Sequence, residues 1–298
     1  MSRRQSPSTR RAYRISEICR LWRVPRSTVY KHRERVLGEP PARRRGPIGA
    51  GTDDELVVMI RSVLAGSPFH GEGYRKVWAR LRFRGVMTSK ERVRRLMRAH
   101  GLRAPYFPIR RRGDKAHDGK ITTHRPDEMW GTDATAAVTT EEGAAFVFVA
   151  IDHCTGECMG IHASKSGSRI EALEPIRQGV RASFSVYEKG AAAGLSIRHD
   201  HGSQYMSHDF QDELRFLGIR STPAFVGEPE CNGVVERFNR TLKEQVLWIQ
   251  TFATIEDLRL ALIDFKKRYN TQWLMQKHGH ITPAQAREKI LNWVAVAA

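Results

Sequence analysis

Two pieces of one stretch decide the fold: S-I-R-H-D-H-G-S-Q-Y (196–205) and C-N-G-V-V-E-R-F-N-R-T-L-K (231–243). The first reads as an apolar strand ending at Asp200, where His, Gly and Ser open a turn. The second reads as a polar turn entering a helix, because Val235, Phe238, Leu242 and Val246 recur three or four apart and mark a buried stripe. Asn232, Glu236, Arg240 and Lys243 form a second stripe beside it. Asp200 and Glu236 have 35 residues between them. That spacing alone says little. The 8 Asp and 14 Glu among residues 126–298 generate about half such a pair by chance.

Working outward, M-W-G-T-D-A-T-A-A-V (129–138) is an earlier strand that carries Asp133 among small and β-branched residues. F-V-F-V-A-I-D-H (146–153) and C-M-G-I-H-A-S (158–164) follow after short turns, which predicts an antiparallel meander. An amphipathic helix over 168–184 precedes the strand ending at Asp200. Helix 207–217, strand 219–223 and the helix of Glu236 complete the order β-β-β-α-β-α-β-α. Helices over 255–269 and 283–293 close the chain. Three antiparallel strands followed by βαβ units make a mixed α/β sheet of five strands, the ribonuclease-H-like plan, over residues 126–298.

Upstream the texture differs. Residues 1–125 hold 32 Lys and Arg against 10 Asp and Glu, whereas 126–298 hold 18 against 22. Of the 32 cations 27 are Arg, whose planar fork suits phosphates and guanine edges. A basic half joined to a mildly acidic one points to a polyanion partner. Ile15, Ile18, Cys19 and Trp22 recur at helical spacing before Pro25, which starts a second helix. That helix is expected to present Arg26, Ser27, Thr28, Lys31 and His32 outward, with Val29 and Val36 packed inward. Helix, turn and basic helix over 1–38 is a helix-turn-helix pattern, although two-helix hairpins with basic faces also occur in proteins that never touch DNA.

A Pro/Gly-rich linker with an Arg triplet spans 39–52. A second module over 53–107 has an acidic first turn at D-D-E, then a helix over 74–83. Its last helix is expected to start in a capping box of Thr88 and Glu91 and to stop at Gly101. Val93, Leu96 and Met97 would be buried there, and Lys90, Arg94, Arg95 and Arg98 exposed as a recognition face. A charged, turn-rich segment over 108–125 leads into the α/β region.

The four cysteines do not form a disulfide scaffold in a chain of 298 residues, and C-T-G-E-C (154–158) lacks a second pair at zinc-finger spacing. No run approaches 18 apolar residues, so no membrane association and a cytoplasmic, nucleoid-associated protein are expected.

Asp133 and Asp200 sit in apolar strands, where an unpaired charge is expensive. The ordinary alternatives are an ion pair with Arg for Asp133, an Asx turn for Asp200, and a surface pair with Arg240 for Glu236. If the three converge, like charges about 4 Å apart repel by roughly 4 kcal/mol at an effective dielectric of 20. Such a cluster binds cations or takes up protons. An all-oxygen site suits Mg²⁺ or Mn²⁺, and two ions about 3.5–4 Å apart would serve phosphodiester cleavage.

The local words are more specific than the spacing. W-G-T-D-A-T, D-H-G-S-Q-Y and N-G-V-V-E-R-F-N-R-T-L-K, in this order, resemble the integrase-core (DDE) transposases of bacterial insertion sequences. The resemblance is to the second-reading-frame transposase of the IS-three family, kin to retroviral integrases, and it covers nearly the whole chain. It implies a catalytic, metal-holding triad of Asp133, Asp200 and Glu236. Gly202, Ser203, Gln204 and Tyr205 would shape the loop beside the metals, and Asn232 would start the catalytic helix. Arg240 and Lys243 would hold phosphates. The implied partners are double-stranded DNA (terminal inverted repeats and target), further copies of the chain, and a protein from an upstream reading frame.

Two departures stand out: the turn before the helix carries Glu228 and Glu230, and no His/His/Cys/Cys zinc module or heptad run is visible. A metal-dependent nuclease of the same fold without strand transfer, and a DNA-binding regulator without chemistry, remain as alternatives.

Overall fold

The structure, a computed structural model, describes residues 5–36, 51–105, 122–224 and 232–297. Most of both expected linkers, together with Glu228, Glu230 and Cys231, lies outside the described residues. The chain divides into a unit over 1–49 and a unit over 50–298.

In the first unit, helix α1 (Ile15–Leu21) and helix α2 (Arg26–Val36) form the expected pair. Its apolar interior is thin. Cys19 is buried, but Trp22 is 57% exposed and Val36 72% exposed, against the expected inward Val36. Two short helices offer too few facing positions to cover a residue at the distal end of the second.

The second unit begins with α3 (Asp53–Ala65), α4 (Tyr74–Phe83) and α5 (Lys90–Ala99). Leu56, Ile60 and Val63 meet Val77, Leu81, Val93, Leu96 and Met97 in one small core. The capping box lies on α3, where Thr52 and Glu55 each bond the other's backbone N–H. On α5 the cap is Ser89, whose Oγ accepts the Arg92 N–H, whereas the Thr88 carbonyl takes the Trp78 indole at 2.8 Å. The expected Thr88–Glu91 box is therefore not formed: the cap falls one residue later, on Ser89 alone, and Glu91 pairs with Arg94 instead. Gly101 ends α5 as expected, at φ 67°, with the Leu102 N–H on the Met97 carbonyl at 2.8 Å.

Strands β1 (Met129–Thr139), β2 (Gly143–Asp152) and β3 (Cys158–Ser164) make the antiparallel meander. β4 (Ser196–His199) and β5 (Arg220–Pro223) add in parallel beside β1, giving the order β3-β2-β1-β4-β5. Alternation along β2 sends Val147, Val149 and Ile151 to one face and Phe148 and Ala150 to the other. Helices α9 (Gly233–Leu242) and α10 (Ile255–Gln272) cover the first face through Val235, Phe238, Leu258, Leu262 and Phe265. The second face is covered by α6 (Arg169–Phe184) and α8 (His208–Phe216), with Trp130, Ile176, Phe210 and Leu214 at the seam. This is the ribonuclease-H-like plan. The four-residue helix α7 (Ser203–Met206), not expected from the sequence, follows β4 directly. α9 continues as a π-helical turn over Lys243–Leu247, and α11 (Pro283–Ala297) closes the chain.

Between β2 and β3, Asp152 is a buried turn acid that accepts the Thr155 N–H and hydroxyl at 2.7 Å each. Cys154 and Cys158 are free thiols flanking this turn, as the sequence suggests.

Candidate active site

Asp133 lies in β1, one strand from β4 and directly beneath α9. Gly131 explains how the helix comes so close. A Cβ built there would stand 2.4 Å from Val235 Cγ2, 2.7 Å from Asn232 Oδ1 and 2.8 Å from His153 Nε2. Only glycine admits the first turn of α9 at this depth. Asn232 stands at the N-cap without a side-chain cap bond; its side-chain amide donates instead across to the Thr132 carbonyl at 3.3 Å. Burial lowers His153 to about 4, with Arg198 and Lys277 adding to the effect, so its ring is neutral beside this contact.

The Asp133 carboxylate is held at both oxygens. Oδ1 accepts the Ala134 N–H at 2.8 Å, and Oδ2 accepts the Asn239 side-chain amide at 2.8 Å. Its pKa is nevertheless raised. Burial is the chief cause, and the charges of Asp200 and Glu236 push it further up against the lowering effect of those hydrogen bonds. The three acids thus share one electrostatic neighbourhood. Among the described residues, however, no three His, Cys, Asp or Glu side chains stand close enough to hold one ion. Asp133 is turned to Asn239, and Asp200 Oδ1 accepts the Gly202 N–H at 2.8 Å in an Asx turn. The ordinary role foreseen for Asp200 is real and coexists with its place beside Asp133.

The donor chemistry fits a hard divalent cation. The nearby acids are all oxygen donors, and a half-buried carboxylate burdened by two like charges gains from a neighbouring cation.

Asn239 escaped the sequence reading. It is three residues past Glu236 and seven past Asn232, so the helical period puts it on the same face, beside the more conspicuous Arg240. Arg240 is exposed and bonds Glu244 at 2.7 Å, one turn along the helix surface. Lys243 opens the π-helical turn.

The loop residues divide. Gly202 N-caps α7 and Ser203 is exposed. The Gln204 carbonyl takes the Ser207 hydroxyl at 3.0 Å. Tyr205 is wholly buried, its ring 5.5 Å from His199 and 5.3 Å from Phe210, and burial raises its pKa with help from the Asp133 charge. His199 is a buried strut bonded to the Asp200 carbonyl at 2.6 Å and Ser221 Oγ at 2.9 Å. This aromatic cluster fixes the end of β4 from which Asp200 emerges.

Of the expected DNA-contact residues, Arg26, Ser27, Thr28 and Lys31 are exposed on α2. Lys90, Arg94, Arg95 and Arg98 are exposed on α5, yet three are engaged within the protein. Arg94 pairs with Glu91, Arg95 with Asp53 at 2.7 Å, and Lys90 lies 4.4 Å above the Trp78 ring. Exposed pairs of this kind are worth about 0–1 kcal/mol, so a phosphate can displace them.

The helical module is not a free appendage. Phe69, between α3 and α4, inserts into the core beneath α9 and α10. The Gln245 side chain bonds both backbone groups of His70, at 2.8 and 2.9 Å, and Arg268 reaches the Pro68 carbonyl at 2.9 Å.

Comparison with known proteins agrees in kind. An integrase core domain model matches residues 123–229, and a second integrase core domain model matches 217–283. An HTH-like domain model matches 53–112. The transposase for insertion sequence element IS629 of Shigella sonnei is 26% identical over 288 residues, covering 94% of this chain and 93% of the relative. The transposase InsD for insertion element IS2A/D/F/H/I/K of Escherichia coli is 25% identical over 246 residues, covering 80% of this chain and 79% of the relative. Among solved structures, the BIV integrase catalytic core domain shares 19% identity at a TM-score of 0.42, over 57% of this chain and 99% of that one. The simian T-cell lymphotropic virus intasome shares 19% identity at a TM-score of 0.46, over 79% of this chain and 74% of that one. Among the described residues no helix is long and apolar enough to cross a membrane.

Proposed function

We propose that this chain, which belongs to the integrase-core transposases of bacterial insertion sequences, cuts and joins DNA by divalent-metal chemistry at Asp133, Asp200 and Glu236. The observation that carries the reading is the seating of α9 on β1. Asn239 bonds Asp133 there, and the charges of Asp200 and Glu236 both bear on that same carboxylate.

In this reading the three carboxylates would hold Mg²⁺ or Mn²⁺, two ions in all. Such ions supply activation of the attacking oxygen and stabilisation of the leaving one. The chain's own groups supply placement. Asn239 and the Ala134 N–H fix the Asp133 carboxylate, the Gly202 N–H orients Asp200, and Asn232 anchors the helix that carries Glu236. Water first attacks the phosphorus at each 3′ end of the element and frees a 3′-hydroxyl. That hydroxyl then attacks a target phosphodiester, breaking one P–O bond as it forms another.

The two-helix unit over 1–38 and the module over 53–107 are assigned to the terminal inverted repeats. Arg26, Ser27, Thr28, Lys31, Lys90, Arg94, Arg95 and Arg98 meet the DNA, with Arg240 and Lys243 near the reacting strand. Two ends must be held together, so the working form is a multimer on nucleoid DNA, with a protein from an upstream reading frame as a further partner.

Incubation with terminal-repeat duplex, target duplex and Mg²⁺ tests this. Joined products support the transposase; cleavage without joining supports a nuclease; binding without chemistry supports a regulator.

A further inference from the structure

A second feature lies where the helical module meets the catalytic core. A cleft of about 400 Å³ opens between the start of α4 and the segment from Trp273 to His280 that follows α10, with Arg237 of α9 on its wall. Its charged lining is cationic: Arg75, Arg237 and Lys277, with the Lys76 amine and His280 beside them. Arg237 belongs to the same helix as Glu236, so the cleft and the candidate active site share α9.

Two groups in this cleft are left without partners at a cost that needs explaining. His280 is 6% exposed, and neither ring nitrogen has a hydrogen-bond partner among the described residues. Lys76 Nζ is likewise buried without one, packed against the Trp273 ring. The acid whose charge Lys76 feels, Glu72, already gives both oxygens to Arg80. Among the described residues Arg75 and Lys277 bond neutral acceptors: Arg75 reaches Gln276 Oε1 at 2.9 Å and the Tyr74 hydroxyl at 3.2 Å, and Lys277 the carbonyls of His153 and Cys154. The first turn of α4 adds the N–H groups of Tyr74 and Arg75, since those of Lys76 and Val77 bond the Gly73 carbonyl and the N-cap, Gly73, has no side chain to satisfy the others. Buried, unpartnered donors facing one cavity are a site for an acceptor-rich anion.

We infer that this cleft binds the phosphodiester backbone of duplex DNA, and holds it between the helical module and the Glu236 helix. The inference rests on the reading of DNA as substrate and adds a contact surface to it. Backbone phosphates carry the charge and acceptors the cleft demands, and no base edge is needed. Binding is therefore expected for duplex of any sequence. Its place at the seam gives it a register function. DNA gripped here has its path set relative to the acids by both parts of the unit.

The test uses the full chain and a 30-base-pair duplex of arbitrary sequence, with affinity read by fluorescence anisotropy between 50 and 200 mM salt. Arg75 and Arg237 are exposed, so the double variant R75Q/R237Q keeps the fold, which thermal melting checks. Its control is R215Q/R220Q, which removes the same charge from exposed positions outside the cleft. Loss of two phosphate contacts lowers the slope of log affinity against log salt by about 2, so wild-type affinity falls about 12-fold further than the variant's over that range. R75K/R237K, which keeps the charges, should restore most of the slope. Equal slopes in R75Q/R237Q and its control overturn the cleft assignment while leaving DNA binding intact. A wild-type protein that fails to bind the duplex at all overturns both the cleft and the reading it rests on.

Discussion

Adding a single methyl group at Gly131 probes how α9, the helix of Glu236, is seated. In Gly131→Ala the new Cβ would stand 2.4 Å from Val235 Cγ2, where ordinary contact begins at 3.4 Å. The helix must therefore give way by about 1 Å, and Asn232 and His153, at 2.7 and 2.8 Å, block escape sideways. Overpacking of this kind costs about 1–3 kcal/mol. For a unit of this size each kcal/mol lowers Tm by about 2–4 °C, so a fall of roughly 2–12 °C is expected in thermal melting. Glu236 lies one residue past Val235, and a shift of about 1 Å in a reacting group can cost on the order of 100-fold in rate. Gel assays of Mg²⁺-dependent cleavage on a terminal-repeat duplex read that loss, while duplex binding stays near wild type. A variant that melts with wild type and cleaves at full rate would refute the seating of α9 on β1 as the element that positions the site.

Three further outcomes follow from the same geometry. Asp133→Asn should raise Tm at neutral pH without divalent ions and abolish cleavage. The folded pKa of Asp133 is raised, so its carboxylate costs stability as pH climbs from 3.8 through the raised value. Mg²⁺ should then stabilise wild type but not this variant; equal Mg²⁺ shifts in Tm would remove Asp133 from the metal site. Gln245→Ala should destabilise the protein by about 1–3 kcal/mol, because the His70 N–H and carbonyl lose their partners. Chemical denaturation reads this, and an unchanged midpoint would mean the module is not held through that contact. Lys76→Met should be more stable than wild type, by a margin that shrinks between about pH 6 and pH 10.5. The lysine's pKa is lowered from 10.5 to about 6 by burial, so the unfolded chain binds the extra proton in that window and wild-type stability rises with pH. A margin constant with pH would contradict the burial of a neutral amine.

The sheet was legible because each strand announces itself. β2 alternates onto two apolar faces and reads as a central strand, Asp133 stands out from small and β-branched neighbours, and Asp200 ends a strand before a Gly-Ser turn. Helix α9 was legible through Val235, Phe238 and Leu242. Nothing local distinguishes Thr88 from Ser89 as a cap, because either side chain can accept a backbone N–H and the choice falls to the tertiary bond between Trp78 and the Thr88 carbonyl. Asn239 obeys the helical period but looks unremarkable beside an arginine, and its meaning depends on a strand about 100 residues earlier. The contact of His70 with Gln245 spans 175 residues and leaves no periodic trace, so the docking of the module and the cleft beside it emerge only from packing.

The account stands most directly on Glu236→Gln, assayed with terminal-repeat duplex, target duplex and Mg²⁺. Glu236 is half-buried on the helix face that reaches Asp133, and the substitution keeps its shape while removing its charge. The expected result is loss of both 3′-end cleavage and strand joining, with duplex affinity within about twofold of wild type. Cleavage and joining at the wild-type rate in that variant would contradict it.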